Sequence, residues 1–314
     1  MHSIYHVKYY MTSSHKRINI AFIGIGRWGK NLLREFDKIS RVSLCIDKGN
    51  PANEQWLKKN YPRIKIAHTL DAALHDPAIR AVVIATPIRT HASIATRALQ
   101  AGKHVFVEKP LATSSSDAKR IVLLAKNKKR ALFVGHTFLY HPVFIKLQRI
   151  LKKDPPLYAR FLWEKFGTFG EDLLWNHGPH EVAIALALFG TPHAVTLLHQ
   201  KGIITQKDII SFRLDFTGGR KCVIELNRLS PIKRKTITLI TKKNIYVWEN
   251  DLLYRLNKKR LNFTLFYHSS KTPLEIESQT FIDRIVRKLP ASSDNFFELK
   301  VIDILSRLAK SHSQ

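Results

Sequence analysis

Residues 18–31, INIAFIGIGRWGKN, decide the fold of this chain. The stretch begins with an apolar run rich in β-branched residues, which predicts a buried strand. Gly24, Gly26 and Gly29 then follow with the spacing G-x-G-x-x-G, and apolar residues resume with the spacing of a helix face. In a strand–turn–helix unit, Gly24 permits the tight turn, Gly26 lets a pyrophosphate approach the backbone, and Gly29 lets the helix lie close to the strand. The phosphates are expected at the helix N-terminus, where free N–H groups favour anions.

An acidic residue follows these glycines at the distance that dinucleotide binding requires. The next apolar run, residues 42–46, ends in Asp47, 18 residues after Gly29. A carboxylate at about this distance is expected to bind the adenosine ribose hydroxyls. Asp47 would repel a 2′-phosphate, which favours NAD over NADP, whereas the neighbouring Lys48 weakens that preference and leaves NADP open. A plain βαβ unit that binds no nucleotide is the alternative for this stretch.

Length and composition are those of a globular protein with room for two domains. The chain has 314 residues, 45% of them hydrophobic, and no apolar run reaches the roughly 18 residues of a membrane span. Residues 1–17 have no continuous apolar core, so we expect a flexible extension, not a secretory signal, with Met11 as an alternative start. Cys45 and Cys222 show no metal or redox spacing, so a cytoplasmic protein without a metal site is expected.

The formal net charge of +28 is unusually high. Residues 1–134 carry 24 Lys and Arg against 8 Asp and Glu, so the excess extends over both halves of the chain instead of forming a basic arm. The basic clusters at 126–130, 233–235 and 258–260 are not interleaved with aromatic residues in a nucleic-acid motif. Solvated basic faces are therefore favoured, with no specific nucleic-acid partner. Attraction to an anionic substrate, or at most peripheral membrane contact, is the alternative.

Strands and helices alternate from residue 18 to residue 134. This alternation predicts a doubly wound parallel sheet with right-handed crossovers. The predicted strands are 18–23, 42–46, 65–67, 80–85, 104–107 and 131–134. Ligands of such sheets bind beyond the carboxyl ends of the strands. Gly24, Asp47, Thr86 and the pair Glu108-Lys109 all follow strand ends, so we expect them at one edge of the sheet.

From Gly135 the pattern changes to a second domain. Strand-like segments without long helices between them predict a largely antiparallel open sheet in an α+β domain. These segments are 158–166, 194–201, 208–216, 222–228, 235–241 and 244–248, and the predicted helices are 142–152, 173–189, 274–287 and 295–309. The predicted organisation is therefore an extension (1–17), a dinucleotide-binding domain (18–134) and a substrate and oligomerisation domain (135–314).

Two further segments carry residues suited to proton transfer. Lys109 follows a predicted strand at the ligand-binding edge, and Pro110 fixes the backbone beside it. A lysine in a partly dry pocket can exchange protons, although a surface lysine in a turn is the alternative. Asn176 and His180, four residues apart, would share one face of a regular helix, and imidazole is the usual base that removes a proton from an alcohol. His177 points away from that face, so a structural role is expected for it.

In combination and order, these motifs resemble those of the Gfo/Idh/MocA family of sugar and inositol oxidoreductases. The resemblance covers nearly the whole chain from about Ile18 and is carried by residues 24–31, Ala85-Thr86-Pro87 with His91, Glu108-Lys109-Pro110, Gly135-His136 and Asn176-x-x-x-His180. It implies an NAD(P)-binding Rossmann domain and a C-terminal domain whose open sheet forms oligomer contacts. It also implies that Lys109 lies near the nicotinamide and substrate, and that His180 is the catalytic acid/base. The residues expected to bind the cofactor are Gly24, Gly26, Arg27, Trp28, Gly29, Asp47, Thr86, Pro87, His91, Glu108 and Lys109.

One position departs from the family pattern. The family helix usually reads Asp-x-x-x-His, whereas this chain has Asn176. An amide keeps the hydrogen bonding of a carboxylate but loses the charge that would favour the imidazolium. Glu181 and Asp172 are the candidates to supply that charge.

The leading hypothesis is a cytoplasmic NAD(P)-dependent dehydrogenase or reductase that acts on the CH–OH group of a sugar. The spelling of residues 28–31 and 175–180 resembles members that act on nucleotide-linked sugars in surface-polysaccharide pathways, and a basic surface suits a diphosphate-bearing substrate. Asn176 and His180 with Lys109 form the expected catalytic set. The alternatives are an epimerase, lyase or glycosidase that recycles bound NAD, and a non-catalytic NAD(P)-binding protein.

Overall fold

The computed structural model describes residues 17–269, 272–288 and 294–311, so the extension expected over residues 1–17 lies outside it except for its last residue. The described residues form two compact units. The N-terminal unit comprises residues 17–135, 274–288 and 294–299, and the C-terminal unit comprises residues 136–269, 272–273 and 300–311. These units differ from the predicted domains chiefly in residues 274–288 and 294–299, which pack with the N-terminal unit.

The elements follow the predicted alternation and then the predicted change of pattern. The strands are β1 Asn19–Ile23, β2 Arg41–Ile46, β3 Lys65–Ala67, β4 Ala81–Ile84, β5 His104–Glu108, β6 Leu132–Gly135, β7 Pro156–Glu164, β8 Ala194–Lys201, β9 Ile209–Phe216, β10 Arg220–Asn227, β11 Arg234–Thr241, β12 Ile245–Glu249, β13 Leu252–Asn257 and β14 Asn262–His268. The helices are α1 Arg27–Ile39, α2 Pro51–Asn60, α3 Asp71–Leu74, α4 Ile88–Gln100, α5 Ser115–Asn127, α6 Pro142–Leu151, α7 Leu173–Phe189, α8 Pro273–Val286 and α9 Asp294–Lys310. A 3₁₀ turn over Thr137–Tyr140 precedes α6.

The N-terminal unit contains the predicted doubly wound sheet. Its six strands are all parallel in the order β3-β2-β1-β4-β5-β6, and β1 lies between β2 and β4. Strand order reverses beside β1, which is where open α/β sheets bind their ligands. The predicted fold class is therefore confirmed for this unit.

Helix α8 joins the N-terminal unit through an aromatic cluster. Phe281 is fully buried, and its ring packs edge-on against Phe36 (6.0 Å between centroids), Phe106 (5.7 Å) and Phe133 (5.8 Å). Such edge-to-face pairs add to the gain from burying the rings themselves. A late segment of the sequence thus completes the core of a sheet that begins at residue 19.

The C-terminal unit is an eight-stranded sheet in the order β14-β13-β12-β11-β7-β10-β9-β8. Neighbouring strands are antiparallel except β7 and β10, which are parallel, so the predicted largely antiparallel sheet is confirmed. Strands β13 and β14 were not expected. They are joined by a basic turn. Strand β14 is an edge strand in which the apolar residues Phe263 and Leu265 are exposed, so its sequence lacks the alternation of buried apolar and exposed polar residues that predicts a strand.

Helix α7 packs on one face of this sheet, against β7, β9 and β10. It is buried along most of its length, and a Cβ atom on Gly178 would come within 2.7 Å of a methyl group of Leu305, so glycine allows α9 to pack closely there. In the parts of the chain that the structure describes, every helix falls short of the length and apolar character needed to cross a bilayer.

Candidate functional site

The three glycines of the opening motif have different surroundings in the N-terminal unit. Gly24 has φ +89°, and a Cβ atom there would lie 2.8 Å from the carbonyl oxygen of Ala85 on the neighbouring strand end. A Cβ atom on Gly29 would overlap the carbonyl oxygen of Gly24. A Cβ atom on Gly26 would meet nothing within 4 Å. Gly24 and Gly29 are therefore required by packing, whereas Gly26 borders open space.

This open space fits the phosphates of a dinucleotide. Gly26 is the N-cap of α1, and as a glycine it has no side chain that could accept a hydrogen bond from the first N–H groups of that helix. Unsatisfied N–H groups and the helix dipole make such a terminus an anion site. Arg27 is exposed at the first position of the helix. The backbone and the sequence around Gly26 thus suit the pyrophosphate of NAD or NADP.

Asp47 is held in place by the beginning of α2. Its side chain is buried, with the residue 7% exposed. Oδ1 accepts a hydrogen bond from the Asn50 backbone N–H (2.8 Å), and Oδ2 accepts one from Asn53 Nδ2 (3.2 Å). The Asp47 carbonyl oxygen lies 3.1 Å from Nδ1 of His68. A carboxylate fixed at a strand end is suited to bind a ribose diol, as expected from its position in the sequence.

The segment after β4 is tied to the segment after β5 by His91. Its ring is buried and lies between two backbone carbonyl oxygens. Nε2 is 2.7 Å from the carbonyl oxygen of Thr86, and Nδ1 is 2.8 Å from the carbonyl oxygen of Pro110. The Thr86 hydroxyl is 2.7 Å from that of Thr90, and Pro87 is the N-cap of α4. His91 therefore supports the two strand ends through backbone contacts and presents little surface to a ligand.

Glu108 and Lys109 follow β5 at the same edge. The buried carboxylate of Glu108 accepts a hydrogen bond from Trp28 Nε1 (2.6 Å). A Cβ atom on Gly135 would lie 3.1 Å from that carboxylate, so the absence of a side chain there makes room for it. Trp28 itself is 45% exposed, and Lys109 is half-buried. The end of β5 is thus linked to the first turn of α1.

In the C-terminal unit, Asn176 and His180 lie in one continuous helix, α7, as the sequence predicted. Asp172 caps this helix by accepting a hydrogen bond from the Trp175 backbone N–H (3.0 Å). The ring of His180 packs edge-on against Phe138 of the 3₁₀ turn, with 4.9 Å between centroids.

His177, expected to have a structural role, stacks on an aromatic ring of the sheet. Its imidazole lies over the ring of Trp163 on β7, with 3.5 Å between centroids and 25° between the planes. By stacking on Trp163, the His177 ring packs α7 against the sheet.

The two residues that could replace the missing carboxylate of the family helix are both engaged elsewhere. Asp172 caps α7 and lies 4.0 Å from Nζ of Lys207. Glu181 is 2% exposed, and its Oε1 lies 2.7 Å from Nζ of Lys235 on β11. Asn176 therefore does not gain a neighbouring uncompensated carboxylate from either residue.

The two cysteines are buried and are kept in the thiol form. Burial raises the pKa of the Cys45 thiol, and the carboxylates of Asp47 and Asp37 raise it further. Burial likewise raises the pKa of Cys222, with a smaller contribution from Glu181. Both thiols thus stay protonated and inert. Across residues 17–269, 272–288 and 294–311, no three His, Cys, Asp or Glu side chains are grouped to hold a metal ion.

The sequence-predicted cofactor residues Gly24, Asp47, Thr86, Glu108 and Lys109 all lie at the carboxyl ends of neighbouring parallel strands. The sequence did not predict three sets of contacts. These are the hydrogen bond between Trp28 and Glu108, the two hydrogen bonds that hold the Asp47 carboxylate, and the ion pair of Glu181 with Lys235. Only the second had a signal in the sequence, because Asn50 directly before Pro51 is a typical helix start.

Comparison with known proteins agrees with this geometry. Residues 18–136 match the model of an oxidoreductase family with an NAD-binding Rossmann fold, GFO_IDH_MocA. The chain is 30% identical over 159 residues to an uncharacterised oxidoreductase of Schizosaccharomyces pombe, covering 46% of this chain and 43% of that protein. It is 27% identical over 189 residues to the scyllo-inositol 2-dehydrogenase (NADP(+)) IolW of Bacillus subtilis, covering 54% and 52%. The chain thus spans about half the length of these relatives.

The fold comparison extends over both units. The solved structure of the UDP-N-acetylglucosamine 3-dehydrogenase GnnA from Acidithiobacillus ferrooxidans matches with a TM-score of 0.84 at 20% sequence identity, covering 94% of this chain and 97% of that one. At this identity the similarity establishes a shared fold.

Proposed function

We propose that this chain, whose residues 18–136 match the model of the oxidoreductase family GFO_IDH_MocA, is a Gfo/Idh/MocA family oxidoreductase that transfers hydride between a sugar CH–OH group and NAD(P). We further propose that the sugar is nucleotide-linked. The observation that carries the proposal is the convergence of Gly24, Asp47, Thr86 and Glu108-Lys109 at one sheet edge. The names of a polyol dehydrogenase and a UDP-sugar dehydrogenase among the similar proteins support the substrate class.

The N-terminal unit supplies the groups that hold the cofactor. The backbone at Gly26 and the N–H groups of α1 bind the pyrophosphate, with exposed Arg27 beside them. Asp47 binds the ribose diol and disfavours a 2′-phosphate, so NAD is the preferred cofactor. Thr86 and Pro87 border the cofactor at the end of β4, and Trp28 and Glu108 do so at the ends of α1 and β5.

The proposed reaction divides a proton and a hydride between different groups. When bound, the nicotinamide supplies a two-electron acceptor for the hydride that leaves the sugar carbon. His180 accepts the hydroxyl proton as the C=O bond forms, and returns it in the reverse direction. Lys109 polarises the oxygen and stabilises the negative charge that develops on it. Asn176 orients the substrate by hydrogen bonding without adding charge.

The test is nicotinamide absorbance with purified protein, NAD and a panel of UDP- and GDP-sugars. A rise in absorbance with one sugar, lost in His180→Ala and in Lys109→Ala, is the expected result. His199→Ala is the matched control, because His199 is exposed on edge strand β8. Turnover that persists in His180→Ala would refute the assigned acid/base.

The departure at Asn176 leaves two alternative functions. A helix without the family carboxylate suits a protein that retains NAD and recycles it through transient oxidation, or one that binds NAD(P) without turnover. Product formation with no net change in nicotinamide absorbance identifies the recycling enzyme. Physiological activity that survives both Lys109→Ala and His180→Ala identifies the non-catalytic protein.

We also propose that the chain forms a homo-oligomer through the face of the eight-stranded sheet opposite α7. Side chains alternate across each strand, and that face carries half-exposed apolar residues such as Leu162, Val223 and Val247. A second copy of this chain would cover them. In analytical ultracentrifugation we expect a dimer or larger assembly that dissociates in Val223→Lys. A wild-type monomer at micromolar concentration would overturn this.

A further inference from the structure

A buried ammonium group lies beside the helix that carries His180. Lys235 keeps 17% of its side-chain surface exposed, but its Nζ atom is inaccessible to solvent. This nitrogen lies 2.7 Å from Oε1 of Glu181, whose side chain is 2% exposed. A lysine side chain normally extends its charged end into water and buries its stem, so the arrangement here is reversed.

The same ammonium contacts the ring against which His180 packs. Nζ of Lys235 lies 3.1 Å from the centroid of the Phe138 ring, a cation–π contact. The Phe138 and His180 centroids are 4.9 Å apart, with the ring planes at 85°. The positive charge therefore lies no more than about 8 Å from the imidazole of His180. Glu181 is the residue that follows His180 in the chain.

A buried pair of this kind is costly as a purely structural element. Moving both charges out of water is repaid only when the geometry is excellent and the remaining hydrogen-bonding groups are satisfied. Among the described residues, neither Nζ of Lys235 nor Oε2 of Glu181 makes a well-aligned hydrogen bond. Burial lowers the pKa of Lys235, and the adjacent Glu181 carboxylate opposes that shift. Apolar side chains of similar size would fill this space at lower cost.

We propose that Lys235, with Glu181 as its counter-ion, is a positioning residue for His180. The ammonium fixes the Phe138 ring that orients the imidazole, and its charge favours the neutral imidazole, which is the form that accepts a proton. Asn176 adds no negative charge to oppose this effect. The inference rests on the acid/base role proposed for His180, which it deepens.

Other titratable groups on the elements packed against α7 contribute to the same environment. They are His136 and His141 at the two ends of the 3₁₀ turn, Cys222 on β10, and His177 on α7 itself. His141 is held by Asp251, with Nε2 3.0 Å from Oδ1, and its pKa is lowered by burial, against the effect of Asp251, with Lys235 lowering it further. Lys235 thus acts on a second imidazole of this region as well.

The test compares the pKa of the His180 ring in the free protein, measured by ¹⁵N-edited NMR titration, among single and double variants. With an effective dielectric constant of about 20, a charge at about 8 Å shifts a pKa by about 1.5 units. Lys235→Met is expected to raise the His180 pKa by about that amount, and Glu181→Gln to lower it. Lys233→Met, an exposed lysine two residues away, is the matched control and leaves it unchanged. The acid limb of the kcat/KM profile shifts with the NMR value.

The two variants are expected to shift the His180 pKa in opposite directions, which loss of packing alone would not do. Unchanged His180 titration in folded Lys235→Met and Glu181→Gln would overturn the inference. If Lys235→Met does not fold, Lys235→Arg and Glu181→Gln decide: the first keeps the wild-type pKa and the second lowers it. Failure of the proposed function is a different result, because His180→Ala would then retain turnover while the NMR shifts remain measurable.

Discussion

The glycines of the opening motif allow binding and folding to be separated by two substitutions of the same kind. Gly26 has φ −62° and ψ −173°, which alanine adopts without strain, and a methyl group there enters open space. The methyl group would occupy the approach of the pyrophosphate to the backbone. At Gly29 the same methyl group would overlap the Gly24 carbonyl oxygen, which belongs to the backbone and cannot move aside cheaply. Gly26→Ala should therefore affect NAD binding, and Gly29→Ala should affect stability.

The magnitudes follow from these contacts. In Gly26→Ala, the gain from restricting the unfolded chain, about 0.4–1 kcal/mol, is offset by the poorer N-cap, so the free energy of unfolding changes by less than about 0.5 kcal/mol. Lengthened hydrogen bonds to one charged group cost about 1.5–3 kcal/mol, which corresponds to an affinity loss of roughly 10- to 100-fold. In Gly29→Ala, overpacking against the backbone costs about 3 kcal/mol.

Thermal unfolding with and without NAD measures both effects. At an NAD concentration about 100 times the wild-type Kd, binding stabilises the wild type by about 2.7 kcal/mol, and a roughly 30-fold weaker Kd reduces this to about 0.9 kcal/mol. Each kcal/mol corresponds to about 2–4 °C in Tm for a unit of about 150 residues. We expect Gly26→Ala to keep the wild-type Tm without NAD and lose most of the NAD-induced increase. Gly29→Ala should unfold about 10 °C lower without NAD.

Two results would refute this reasoning. Wild-type NAD affinity in Gly26→Ala would show that the open space above this residue does not receive the phosphates. An equal loss of stability in both variants would show that the environments of the two glycines do not differ as the contacts indicate.

Two further substitutions test side chains of the N-terminal unit. Trp28→Phe removes one donor from the buried carboxylate of Glu108, and urea unfolding should show a loss of about 1–2 kcal/mol. Burial and two nearby arginines lower the pKa of His104 to about 4, and its Nδ1 accepts a hydrogen bond from the Ala131 N–H. The unfolded state takes up this proton near pH 6.5, so stability should fall by about 3 kcal/mol from pH 7 to pH 4, and His104→Gln should remove that part of the pH dependence.

Each of these has a control in the same unit. Trp56→Phe changes a tryptophan whose ring contacts Tyr61 and Lys30 and not Glu108, so it should cost less than Trp28→Phe. Equal losses would argue against a contribution from the hydrogen bond. His75→Gln alters an exposed histidine and should keep the wild-type pH dependence. If His104→Gln does the same, the decline at low pH arises from other groups.

The sequence predicted the N-terminal sheet well because its determinants are local. Each strand is a short apolar run with a turn signal after it, and the alternation with helices leaves one topology. Helix α8 was predicted at nearly its observed position, but the sequence did not predict that it packs with the N-terminal unit. The longest-range contact of Phe281 is with Phe36, about 245 residues earlier in the chain. No local pattern reports such a pairing.

Strands β13 and β14 escaped prediction for a different reason. Basic residues 258–260 form the turn between them, and the apolar residues of β14 are exposed. Edge strands of this kind lack the period-two alternation of buried and exposed side chains on which strand prediction depends.

The candidate site likewise contains some residues that the sequence could predict and some contacts that it could not. The glycines and Asp47 could be found from spacing, because each acts through the backbone or through its position at a strand end. The partners that hold the charged side chains could not, because Trp28 and Glu108 are 80 residues apart and Glu181 and Lys235 are 54 apart. Hydrogen bonds and ion pairs at such separations depend on the completed fold.

Asn176 acquires a consistent explanation when the charges around α7 are considered together. An aspartate there would place a carboxylate on the helix face of His180 and favour its protonated form. This chain has an amide at that position, uses Asp172 as a cap, and pairs Glu181 with Lys235. All three features reduce the negative charge available to the imidazole, and each favours the neutral ring that removes a proton from an alcohol. Asn176→Asp should therefore raise the His180 pKa and move the acid limb of kcat/KM to higher pH, and an unchanged limb would leave the amide without this role.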